Sequence, residues 1–150
     1  MSSLQRLGTT RWGSHYESIL SMIEMFNATC TVLMSIACDS PNPKARIEAD
    51  GVCTSVKSFD FVFGLHLMEA VMRITDFVCQ ALQRDNVDIL SAIGFVETAK
   101  DLLQKLRNEG WDNLFEKVKQ FCLQHEINVS DMMSKLMRGR KEVDMKHCEE

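Results

Sequence analysis

The stretch that decides the fold is Ser58–Gln83, SFDFVFGLHLMEAVMRITDFVCQALQ. Its apolar residues, among them Phe59, Phe61, Val62, Phe63, Leu67, Met68, Val71, Met72, Phe77, Val78, Ala81 and Leu82, cover most of the circumference of a helix. A helix apolar nearly all round belongs in a core, so Met68, Met72 and Phe77 are expected to be buried. A membrane span is the competing reading. Against it, His66, Glu69, Arg73 and Asp76 lie inside the run and leave no 18-residue window free of charge.

Upstream, DSPNPK at Asp39–Lys44 is the clearest break, because two prolines and an Asn-Pro pair exclude continued helix. Asn42 followed by Pro43 makes a good N-cap and first helical residue. The spacing predicts a short helix from Pro43 to about Lys57, with Ile47, Val52 and Val56 inward. Farther upstream, Ser14 and Glu17 in TRWGSHYESI stand at capping-box spacing ahead of Tyr16, Ile19, Leu20, Ile23 and Phe26, so a helix is expected to start at Ser14. Val32, Leu33, Ile36 and Ala37 extend the pattern, as one bent helix or two short ones, to about Cys38. Residues 1–13 read as a flexible lead-in.

Downstream of the polar break at Gln83–Asn86, Asp85 and Asp88 favour a helix start. Ile89, Ala92, Val96, Ala99, Leu103 and Leu106 then form an amphipathic stripe, widened by Leu90, Ile93 and Leu102, which suits antiparallel packing on the central helix. Gly110 is a natural stop. Trp111, Leu114, Phe115, Val118, Phe121 and Cys122 outline another helix ending near Glu126, after which Met132, Met133, Leu136 and Met137 suggest a docking turn and 138–150 a polar tail. No strand-like alternation appears. The expected fold is one all-α domain over 14–137, with five or six helices around the buried central one.

At 150 residues the chain is long enough to bury about two thirds of its unfolded surface without a metal or disulfide staple. Its net charge of −4 argues against global attraction to nucleic acid. Six cysteines (Cys30, Cys38, Cys53, Cys79, Cys122, Cys148) occur without a CxxC pair, and no secretory leader opens the sequence; a reducing, intracellular setting with mostly buried thiols is expected.

Catalytic signatures are sparse. No phosphate loop, HExxH or GxSxG word is present, and the four histidines are isolated. Glu69 follows His66 by three residues and could orient its imidazole, although a structural pair fits the same spacing. His147 and Cys148 supply too few ligands for a tetrahedral zinc, so neither a metal nor a cofactor is expected. No small-molecule substrate is indicated. Two features fit nucleic acid. Arg11 and Trp12 set a cation beside a large aromatic, a pairing that binds phosphate and stacks on an unpaired base, or that packs over a helix start. Lys135, Arg138, Arg140 and Lys141 place four positive charges within seven residues, as a binding patch or as solvated surface.

TRWGSHYESIL, SFDFVFGLHLM, DNVDILSAIGFVETAKDLLQKLRNEGWDNLFEKV and FCLQHEINV together resemble plant members of the hAT-superfamily transposase-like proteins, also described as zinc finger MYM-type or TTF-type proteins. The resemblance spans nearly the whole chain. It implies the helical insertion of an RNase H-like catalytic fold, entered at the Arg-Trp word, and a nuclear protein. Family catalysis uses three acidic residues that hold two metals. None has a counterpart here, so the resemblance implies no enzyme. It carries over only Arg11 and Trp12, as contacts to an extruded base, hence weak DNA binding. A protein-protein interaction module with a helical docking surface is the alternative.

Overall fold

The computed structural model describes residues 12–83 and 87–129, with the backbone alone at Trp12. These residues form six helices: α1 (Trp12–Glu24), α2 (Phe26–Asp39), α3 (Pro43–Val56), α4 (Phe59–Leu82), α5 (Ile89–Glu109) and α6 (Trp111–Gln124). Among the described residues there is no strand, and the fold is a single all-α unit.

Most helix boundaries follow the local chemistry. The Asn42 side chain accepts from the Lys44 N–H at 3.0 Å, with Pro43 in the first turn, and Ser58 Oγ accepts from the Phe61 N–H at 3.2 Å. Asp88 caps α5 through the Ser91 N–H at 2.8 Å. Ser14, by contrast, lies inside α1, where its carbonyl accepts from Ser18 Oγ. The start expected at Ser14 is therefore two residues late: the helix already runs from Trp12.

Between α1 and α2 the chain turns by 73° at Met25. That corner swings Phe26 and Cys30 inward, and both are buried. Among the described residues no single helix is long and apolar enough to cross a membrane.

The core joins Phe26 and Cys30 of α2, Val56 of α3, Phe59 and Val62 of α4, and Leu114, Phe115, Val118 and Cys122 of α6, closed by Ile127. It gathers at the N-terminal half of α4. There α6 crosses it, with Trp111 and Phe115 stacked on Phe63 and the Phe121 ring edge-on to His66. Toward its C-terminus α4 is flanked by α1 and α5 without α6, and two burial expectations are overturned along the helix. Phe77 is 54% exposed and Met68 44% exposed, while Met72 is half-buried. Phe61 and Met68, seven residues apart, share the side of α4 turned away from Phe59, Val62 and His66.

The same kind of shift appears on α3 and α5. Ile47 and Val52 are exposed, since α3 buries the small stripe Ala49, Cys53 and Val56 and Ile47 lies on its opposite side. In α5 no residue is fully buried. Ala92, Phe95, Ala99, Leu103 and Leu106 are half-buried, whereas Ile89, Leu90, Ile93, Val96 and Leu102 face solvent. The antiparallel packing on α4 is as expected, but the inward face is rotated from the Ile89–Val96 edge toward Phe95.

Candidate functional site

Two polar clusters interrupt the apolar packing. The first runs along α4. Glu69 is buried and receives Lys117 Nζ from α6 at 2.9 Å. His66, one turn earlier, is buried beside Phe121, and among the described residues neither ring nitrogen has a hydrogen-bond partner. Burial pushes its pKa down, the Lys117 ammonium pushes the same way, and Glu69 opposes them. His66 is therefore an uncharged core ring, and the acid-base pair that the His66-Glu69 spacing suggested does not form. Farther along α4, buried Asp76 accepts from Gln80 Nε2 and lies against the first turn of α1, where its charge suits the helix dipole. Tyr16 faces this acidic edge. Burial, with Glu69 and Asp76, raises its hydroxyl pKa.

The second cluster surrounds a cavity of about 220 Å³ between α2, the end of α3 and the end of α6. Phe26 forms its floor, and Cys30, Met34, Lys57 and His125 line it. His125 Nδ1–H donates to Asn27 Oδ1 at 2.7 Å, which ties the end of α6 to the start of α2. Lys57 Nζ lies 3.8 Å from Met34 Sδ. Burial raises the Cys30 thiol pKa, with Lys57 acting in the opposite direction, so the thiol is protonated at neutral pH. The cavity thus offers an imidazole, an ammonium and a thiol.

The residues singled out by sequence for nucleic acid fall almost wholly outside the described part of the chain. Trp12 is the first residue of α1. Its side chain, Arg11, the basic group Lys135, Arg138, Arg140 and Lys141, the His147–Cys148 pair and the Met132–Met137 turn lie outside the described residues, as do the lead-in before Trp12 and the tail. Sequence reasoning missed the Glu69–Lys117 and Asn27–His125 pairs, whose partners are 48 and 98 residues apart. No local spacing signals such contacts. Among the described residues no three His, Cys, Asp or Glu side chains converge on a possible metal position.

A third feature is apolar. Ile89, Ile93 and Val96, at i, i+4 and i+7, present one exposed face of α5, and Leu90 adds to it. No known family profile matches the chain, and no solved structure matches it.

Proposed function

We propose that this chain is a non-catalytic helical module, derived from the insertion of a hAT-type transposase, that acts as a scaffold by docking a protein partner on the exposed face of α5. The observation that carries this reading is α5 itself, a 21-residue helix with no buried residue and with Ile89, Leu90, Ile93 and Val96 in solvent. Contiguous exposed apolar surface of this kind marks interaction sites. Further exposed apolar residues on α4 are Phe61 and Met68 on one side and Phe77 on the opposite side. The resemblance supplies the partner class, an RNase H-like core of the kind such insertions adjoin, and a nuclear location.

The test titrates the purified chain against such a core lacking its own insertion and, separately, against a fluorescent single-stranded oligonucleotide. Binding of the protein core that is lost in Ile93→Glu, an exposed position at which a charge leaves folding intact, is the expected result. Salt-sensitive oligonucleotide binding, unchanged by Ile93→Glu and abolished by Trp12→Ala, would replace the scaffold reading with nucleic-acid recognition.

A further inference from the structure

We propose that the cavity between α2, the end of α3 and the end of α6 binds a small zwitterion, a free α-amino acid with an apolar side chain, whose carboxylate meets Lys57 and whose ammonium meets Glu126. The lining carries the argument. Phe26, Cys30 and Met34 make one part of it apolar, while Lys57 and Glu126 set one charge of each sign on it. Among the described residues neither charge is in an ion pair, with the other or with a third group. The polar contact of Lys57 Nζ is Met34 Sδ at 3.8 Å, and a thioether is a weak acceptor. Opposite charges left open beside an apolar floor complement a molecule that carries both signs at one end and a hydrocarbon at the other. The volume of about 220 Å³ sets the size. It falls below the roughly 300–1,000 Å³ of sites for drug-sized ligands, so the occupant is small.

The backbone at Glu126 is a second, independent observation. After the α6 cap at His125, the Glu126 N–H donates to the Leu123 carbonyl at 3.4 Å and the Ile127 N–H to the Cys122 carbonyl at 2.8 Å, the paired bonds of a Schellman turn. Glu126 holds its left-handed position with φ of 56°, where glycine is the ordinary residue because it has no Cβ to strain. A carboxylate kept in a conformation that disfavours it points to a use for the side chain. Its surroundings are fixed. Ile127 is anchored in the core, and the His125 ring is held by Asn27 at 2.7 Å and by Phe121 and Phe26, with centroids at 4.2 and 4.9 Å. The C-terminal end of the α6 dipole adds partial negative charge beside Glu126, which favours an ammonium there. The site lies apart from the exposed face of α5 and does not depend on what docks there.

The test titrates free leucine into the isotope-labelled full chain and follows backbone amide resonances by NMR. Saturable shifts at Lys57, His125 and Glu126 are expected. N-acetyl-leucine, which lacks the cation, and leucinamide, which lacks the anion, should each bind about tenfold or more weakly, as loss of one charge-assisted contact implies. Lys57→Met should weaken leucine binding to the same degree. Glu126→Gly is the sharper variant: it should also lose leucine binding, yet melt at or above the wild-type temperature, because glycine relieves the left-handed backbone. No saturable shift at these three residues, or leucinamide and N-acetyl-leucine binding as well as leucine, would overturn the proposal, and this wild-type comparison decides it even if a variant folds poorly. Leucine binding unchanged in Glu126→Gly would overturn it as well.

Discussion

Lys117 Nζ on α6 stands 2.9 Å from Glu69 Oε2 on α4, so the buried carboxylate is answered by a residue 48 positions away, not by His66 on its own helix. The ammonium is half exposed, and solvent screening limits the worth of the pair. Lys117→Met should cost about 1 kcal/mol, because Glu69 keeps a buried charge without its counter-ion. Urea midpoints of Lys117→Met, Glu69→Gln and the double variant measure the coupling. A double variant as destabilised as the sum of the singles would show that the contact adds nothing.

The asymmetry of α4 gives a sharper contrast. Phe26 is 1% exposed at the centre of the core, whereas Phe77 is 54% exposed. Phe26→Ala should therefore lose roughly 3–5 kcal/mol, the usual cost of emptying a core phenylalanine. Phe77→Ala should change stability by no more than about 1 kcal/mol, as surface substitutions do. Equal shifts in denaturation midpoint for the two variants would mean that Phe77 is covered in solution.

Helix positions were legible in the sequence because caps, breakers and the 3.6-residue period are local signals. Asn42-Pro43, Ser58, Asp88 and Gly110 each stand at a helix end as their chemistry implies. Which face turns inward was less legible. The central helix is apolar nearly all round, so its pattern holds no information about which side α6 covers, and Phe77 and Met68 fall on the sides left open. In α3 the size of Ile47 and Val52 drew the inward assignment away from Ala49 and Cys53, although small residues are what let α2 and α3 approach closely. The polar pairs were not legible at all, since Glu69–Lys117 and Asn27–His125 depend on how α6 is folded back. For function, Arg11 and Trp12 were singled out as a cation beside an aromatic and again through resemblance, while the exposed face of α5 emerges only once its neighbours are placed.

Gly110 is the single residue between α5 and α6, at the end of one and the start of the other. Its φ of −79° suits any residue, so the requirement for glycine is steric. A Cβ there would stand 2.6 Å from the Leu106 carbonyl oxygen and 3.0 Å from Leu106 Cα, both backbone atoms that cannot swing aside. Gly110→Ala is thus expected to destabilise the fold by about 1–3 kcal/mol, the range of comparable overpacking. The better intrinsic helix propensity of alanine works the other way. A melting temperature equal to or above wild type would show that the α5–α6 corner relaxes at no cost.

His66 should make stability depend on pH near neutrality. Its folded-state pKa is depressed by burial and by Lys117, with Glu69 offsetting part of this, so the unfolded chain holds the imidazole proton more tightly than the folded one. Where the unfolded state binds more protons, stability rises with pH. The His66 contribution is accordingly complete above the ordinary histidine range, near 6.5, and is lost as pH falls below it. The slope can approach about 1.4 kcal/mol per pH unit for one proton. His125, depressed by burial as well, adds an effect of the same sign. His66→Phe keeps a ring of similar size against the Phe121 edge and removes the titrating group together with two unpaired nitrogens. Its unfolding free energy should vary less than wild type between pH 8 and pH 5, as followed by urea denaturation at intervals across that range, and should equal or exceed wild type at the acid end. A variant with an undiminished slope would assign the acid sensitivity to His125 or to the carboxylates instead, and would place the His66 proton within reach of solvent.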